Sequence, residues 1–210
     1  YKYLMSIEIK ISKKPVEYVK AVSFLEKRML ELKDKKQSEL IWILEHPSTY
    51  TRGIRSKENE ILDKNLKIIN TNRGGKLTWH GSGQIVCYFV LNLNTRGKDV
   101  RRFILILEKA IIKTIEEYGI KSYADRKNIG IWVNDKNKIK KVAAIGLKIK
   151  RWIVYHGFSI NISNKLDAYK KIIPCGIKQN SVTSLKKIKN QSYKGIEKKI
   201  INNLIKFLDD

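Results

Sequence analysis

Apolar positions along this chain follow two rhythms, and each predicts a kind of element. Between residues 15 and 34, Val19, Val22, Leu25, Met29 and Leu32 fall three and four apart. That is the spacing of one helical face, and Pro15 suits a first turn. Residues 98–118 repeat the pattern with Val100, Phe103, Ile104, Leu107, Ile111 and Ile115, and Gly119 stops it. A last helix is predicted over 195–208. Between these lie runs of β-branched and aromatic residues. "ELIWILEH" (39–46) predicts a short buried strand, and "LKIINTNRGGK" (66–76) a strand entering a glycine loop. "QIVCYFVLNL" (84–93) predicts a central strand. "GIWVNDKNKIKKVAAIGLKI" (130–149) predicts two strands around an Asn-Asp-Lys-Asn turn, and "WIVYHGFSINI" (152–162) a third. No internal repeat and no linker appears. The expectation is one α+β (mixed α/β) domain over 1–210, with antiparallel hairpins between helices.

Composition narrows the class. At 210 residues and 42% hydrophobic, the chain can bury a sizeable core. It contains no run of about 18 apolar residues, so no membrane span is expected. The first stretch lacks the basic, apolar and small-residue blocks of a secretory signal. The first residue is Tyr1, which leaves the native start open. Two cysteines, Cys87 and Cys175, make no disulfide framework and point to a reduced, cytoplasmic setting. The charge is lopsided, 44 basic against 20 acidic residues, net +24. Three readings stay open: a Lys-, Ile- and Asn-rich composition of an AT-rich genome, an acidic protein partner, or nucleic acid.

Candidate chemistry concentrates in a few places. "NRGGKLTWHGSGQ" (72–84) holds four glycines within ten residues. It has neither Walker spacing nor G-x-G-x-x-G, so it is either a ligand-approaching loop or a glycine-rich hairpin corner. His46, His80 and His156 are the only histidines, and no pair has metal-ligand spacing. No metal site is expected. His80 and His156 each precede a glycine, which leaves room for a ligand; a structural role is equally open for both. Cys87, inside "IVCYFVL", reads as core. Cys175, between Pro174 and Gly176, reads as buried filler or as a nucleophile displayed by a turn. Lys140 and Lys141 run into the apolar "VAAIG". Strand alternation sets one of them with Val142 and Ala144 and the other with Ala143 and Ile145, so one risks facing the interior, either as a snorkelling edge residue or as a functional one.

Taken together, "LEHPSTYTRG" (44–53), "NRGGKLTWHGSGQIVCY" (72–88), "GIWV", "KVAAIGLKIKRW" (141–152), "HGFSINI" and "IPCG" with "VTSL" (173–185) resemble the lipoyl(octanoyl) transferases, in that family's order. The resemblance implies a biotin/lipoate-ligase-like catalytic fold with a mainly antiparallel or mixed sheet. It implies transfer of an octanoyl group from acyl carrier protein to a lysine of a lipoyl domain, without ATP or any other cofactor beyond the carrier's phosphopantetheine. Acceptors would be lipoyl domains of 2-oxoacid dehydrogenase complexes and the glycine cleavage H protein. Cys175 is implied as the acyl-thioester nucleophile and Lys141 as the residue that tunes it. Substrate would be lined by Arg73, Gly74, Gly75, Lys76, Leu77, Thr78, Trp79 and His80, by Ala144, Ile145 and Gly146, and by Gly157, Phe158 and Ser159. Trp79, Ile145 and Phe158 are expected to wall the acyl tail. Ser82 stands where the family usually has proline, and Trp79 where it usually has tyrosine, so loop rigidity and pocket shape are in question. The further expectation is a cytoplasmic monomer that binds neither nucleic acid nor membrane. An ATP-dependent lipoate ligase is the rival enzyme, and a basic nucleic-acid-binding module the rival from another class.

Overall fold

The computed structural model describes residues 6–174 and 181–209. Cys175 and Gly176 therefore lie outside the described residues. Along the chain come β1 (Ile7–Ile11), α1 (Tyr18–Lys33), β2 (Glu39–Leu44), β3 (Thr49–Arg52), β4 (Ile68–Asn70), β5 (Leu77–His80) and β6 (Gln84–Asn92). They are followed by α2 (Val100–Glu116), β7 (Ser122–Ala124), β8 (Ile131–Asp135), β9 (Lys138–Lys150), β10 (Ile153–Asn161), α3 (Leu185–Ile188) and α4 (Ile196–Asp209). The fold is mixed α+β, as the residue pattern predicts.

Seven strands form one sheet in the order β1-β2-β6-β10-β9-β8-β7. Its one parallel pair is β1 with β2; the others run antiparallel. The β8–β9 turn uses Lys136 (φ 51°) and Asn137 (φ 62°), positive at both central positions as a tight two-residue hairpin requires. A second sheet, β4-β3-β5, is the destination of the glycine-rich segment.

The faces of the large sheet are covered differently. On one, α2 and α4 bury Phe103, Leu107, Ile111, Ile200 and Leu204 against Cys87, Phe89 and Val154. Asp99 caps α2 by accepting from Arg102 N at 3.0 Å. On the other face, α1 packs Ala21, Leu25, Met29 and Leu32 onto Trp42, Val90 and Tyr155. The small sheet comes over the same face beside α1, where Tyr18 stacks on His80 at 5.8 Å. Between α1, the small sheet and the floor of β9 and β10 a gap remains.

Candidate active site

The gap exists because of small residues. Opposed pairs on β9 and β10, Ala144 with Ser159 and Gly146 with Gly157, form its floor. At Gly157 a side chain is excluded outright, since a Cβ would lie 1.9 Å from the carbonyl oxygen of Cys87. The resulting cavity measures about 320 Å³, at the low end for small-molecule sites. Val86 supplies apolar wall, and Ile145 and Phe158 border the cavity although their side chains belong to the α2/α4 layer. Arg55, Lys76, Lys127 and Asn128 stand at its edge, and no carboxylate lines it among the described residues.

One wall comes from the glycine loop and β5. Gly74 N donates to Leu147 O at 2.8 Å, which fastens the loop to the edge of β9 beyond the end of β8. Carbonyl and amide of one residue share an edge in antiparallel strands and alternate along them. Ile145 N–H therefore faces the same open edge, between the last β8 pairing at Ala143 and the Leu147 contact. Arg73 is buried and braces the loop. Its guanidinium donates to Gly74 O (2.9 Å), Thr51 O (3.2 Å), Thr51 Oγ1 (2.8 Å) and Lys76 O (2.9 Å). All four acceptors are neutral, so among the described residues no carboxylate pairs this cation beside the cavity.

All three histidines gather here. His46 and His80 meet edge-to-face at 5.5 Å, and His156 contacts the Tyr88 ring at 6.2 Å. Hydrogen-bond partners assign the tautomers of two of them. His46 Nδ1–H donates to Val16 O at 2.6 Å, so Nε2 accepts from the Tyr88 hydroxyl at 2.8 Å. The Gln84 amide nitrogen donates to Asn161 Oδ1 at 2.9 Å, which leaves Gln84 Oε1 to accept from His80 Nδ1–H at 2.7 Å. Burial holds His46 down to about pKa 4 and His80 and His156 to about 3; the Arg73 charge adds to the last two. The three rings are neutral at pH 7. His156 sits at φ 68°, unusual for a non-glycine strand residue.

Lys141 is 5% exposed and lines the cavity. Strict alternation would turn it to the α2/α4 side with Ala143 and Ile145. A bulge prevents this: Ile131 pairs with Ala143 and Trp132 with Lys141, so Val142 is the extra residue. The bulge moves Lys141 to the face of Ala144 and Gly146 and leaves Val142 in the core. Gly130 keeps the space, since its Cβ would meet Lys141 Cε at 3.1 Å. Lys141 Nζ donates to Ile129 O at 2.9 Å and lies 4.8 Å from the Trp132 ring centre. Lys140 turns the other way and pairs with Asp135 at 2.8 Å. The Lys141 backbone also holds the chain that returns after residue 180: Lys141 N donates to Ser181 O (2.7 Å) and Thr183 N to Lys141 O (3.0 Å). Before residue 175, Ile173 N donates to Glu60 O at 2.8 Å.

Of the residues expected to line substrate, Arg73, Gly75, Lys76, Thr78 and His80 line this cavity, with Ala144, Ile145, Gly146, Gly157, Phe158 and Ser159. Leu77 and Trp79 do not. They alternate with Thr78 and His80 on β5 and pack against Tyr169 and Ile172 in a separate cluster. Trp79 is therefore no wall of this cavity, and its indole Nε1–H donates to Ser48 Oγ at 3.0 Å. Gly74 gives its backbone to β9 instead. Sequence reasoning missed Tyr88, Arg55 and the 127–129 turn. For Tyr88 a signal existed in the even-numbered positions of β6, which share one face with Val86; for the turn there was none. Cys87 is fully buried, and burial pushes its thiol well above the ordinary range.

The sequence profile of the lipoyl protein ligase A/B catalytic domain matches residues 17–204. The octanoyltransferase of Ehrlichia canis is 44% identical over 184 residues, 87% of this chain and 86% of that protein. That of Anaplasma marginale (strain Florida) is 43% identical over 181 residues, 85% of each. Among solved structures, a putative lipoate protein ligase from T. acidophilum with bound lipoic acid superposes with a TM-score of 0.73 at 14% identity, covering 98% of this chain and 87% of that one. Lipoate-protein ligase A bound with ATP gives 0.70 at 13% identity, covering 96% and 86%. At such identities the structural likeness speaks for the fold alone.

Proposed function

Because the chain belongs to the lipoyl protein ligase A/B catalytic domain family, beside its octanoyltransferases, and is an acyltransferase of protein lipoylation, we propose its specific reaction. It takes octanoyl from an acyl carrier protein thioester, holds it on Cys175, and passes it to a lysine of a lipoyl domain. The observation that carries this reading is Lys141: a buried lysine, without a carboxylate partner among the described residues, inside a cavity with apolar walls.

A free thiol titrates near 8.5, so only a few per cent is thiolate at neutral pH. An ammonium at Lys141 favours the thiolate of Cys175. The thiolate attacks the octanoyl carbonyl, the carbon–sulfur bond to the carrier breaks, and the departing sulfur takes a proton from Lys141. Thioester for thioester is nearly isoenergetic, so no nucleotide enters. The acceptor amine then attacks, the bond to Cys175 sulfur breaks, and neutral Lys141 takes the amine's proton. Amide formation from a thioester runs downhill. Ile145 N–H, on the open edge of β9, supports the oxyanion. Each buried methylene of the tail contributes roughly 0.8 kcal/mol. Cys87 is unsuited to the nucleophile's part, being sealed in the core. Acidic carrier and lipoyl domains suit the +24 charge. No described helix is long and apolar enough to cross a membrane; a cytoplasmic monomer remains part of the proposal.

The test is incubation with octanoyl-acyl carrier protein followed by peptide mass spectrometry. An octanoyl adduct on Cys175 is expected. An adduct on Cys87, or none, overturns the nucleophile; pyrophosphate released from ATP with free octanoate would move the protein to the ligase reaction. In alkylation against pH, Lys141→Ala is expected to raise the Cys175 midpoint, and an unchanged midpoint removes Lys141 from that role.

A further inference from the structure

Lys140 and Lys141 are neighbours that face opposite sides of β9, and each borders a depression. The one on the Lys140 side measures about 690 Å³ and reaches from Pro174 and Val182 to α3. Lys138, Lys140, Lys170, Lys186 and Lys187 ring it. Lys140 is paired with Asp135, and Lys170 with Asp167 at 2.6 Å. Lys138, Lys186 and Lys187 have no salt bridge among the described residues, so the depression carries surplus positive charge.

Its wall holds an unmet polar group. Asn164 is 4% exposed, and neither Oδ1 nor Nδ2 has a hydrogen-bond partner among the described residues. Buried side-chain amides are otherwise paired, because water's hydrogen bonds have been given up. An amide offering both its acceptor and its donors complements another amide. A ligand that satisfies Asn164 and the lysines together is a chain containing amide groups and ending in a phosphate ester.

We propose that this depression receives the phosphopantetheine arm of the acyl donor, with Asn164 pairing an amide of the arm and Lys186 and Lys187 holding its phosphodiester. This rests on the reading that the donor is a carrier-bound thioester. Acyl tail and arm then lie on opposite sides of β9. Pro174, immediately before Cys175 in sequence, borders the arm's side, and Val182 pairs with Lys141 across the divide.

Calorimetric titration of the full chain with 4′-phosphopantetheine and with unphosphorylated pantetheine, at physiological salt, tests this without acyl transfer. The phosphorylated ligand is expected to bind at least tenfold tighter. Lys186→Ala with Lys187→Ala should reduce that ratio to about one. Asn164→Leu should weaken both ligands by a similar factor and preserve the ratio. Lys109→Ala, on the exposed side of α2, should change neither affinity. Equal affinities in the unmodified protein, a ratio that survives the double substitution, or one that collapses in Lys109→Ala overturns the site. An adduct on Cys175 without phosphate discrimination sinks the arm site and keeps the transfer reaction. Discrimination without an adduct keeps the site and sinks the reaction.

Discussion

The two faces of the seven-stranded sheet are made from the same strands yet solve different problems. Against α2 and α4, every odd position of β6 from Ile85 to Leu91 meets apolar side chains, and Ile131, Val133, Phe158 and Ile160 continue the layer. Against α1 the apolar layer covers β2 and β6 but stops short of β9. There the sheet carries Ala144, Gly146, Gly157 and Ser159, and the covering is a glycine loop and a four-residue strand. Arg73, Lys141 and all three histidines are buried on that side. Burying such groups is costly unless they are partnered. The difference teaches a division of labour: the sealed face supplies the stability that the open face spends on holding cations and neutral imidazoles around a hollow.

The largest expected effect is at Gly157, where both faces depend on one strand pair. Gly157→Val would set a Cβ 1.9 Å from a backbone oxygen of β6, and neither strand can withdraw without breaking the central ladder. A loss above about 4 kcal/mol is expected, seen as absence of a cooperative melting transition. A folded, cooperative Gly157→Val would mean the floor is more pliable than its geometry allows.

On the sealed face, Leu107→Ala should cost about 2–5 kcal/mol in denaturant unfolding, through lost contact and a residual cavity. Acyl transfer per folded molecule should stay the same. On the open face the pattern should invert. Lys141→Met should leave stability equal or higher, since an isolated buried charge is replaced by a matching apolar stem. Acyl transfer should fall about 100-fold or more, the range for a lost proton-transfer group. If Lys141→Met instead unfolds the protein at ordinary activity, Lys141 is structural and the contrast between faces fails.

The same contrast governs what the sequence made legible. The periodic elements were readable because burial on one side imprints a rhythm: α2 was expected over 98–118 and spans Val100–Glu116. The last helix, expected over 195–208, spans Ile196–Asp209. Around the cavity the rhythm breaks. Strands β3 and β5 have four residues each, too few to show a period, and β5 lies within a glycine-rich stretch read as loop. Strand β1 is an edge with little burial on either side, so "IEIKI" gave weak contrast. The bulge at Val142 cannot be read from alternation, because it is an exception to alternation. Lys141 was singled out through resemblance, and the bulge supplies the physical reason it can face the cavity. A loop reading of 72–84 hides the two-residue period that sets Trp79 on the other face of β5 from Thr78 and His80.

The smallest expected effect is one of pH, and it too should divide the faces. His46, His80 and His156 are held near pKa 4, 3 and 3 from an ordinary 6.5. Between about pH 6.5 and 4 the unfolded chain binds these protons and the folded chain does not, so stability falls as pH falls through that window. About 1 kcal/mol per histidine should be lost between pH 7 and 5.5. On the sealed face the sign reverses. Burial raises the pKa of Glu108 on α2, so acid relieves a cost there. Denaturant unfolding at pH 5.5 and 7 reads the loss. His156→Gln should shrink it by about 1 kcal/mol, and Glu108→Gln should not. A loss that stays the same in His156→Gln would place the acid-sensitive groups elsewhere and remove the histidine cluster as the cause.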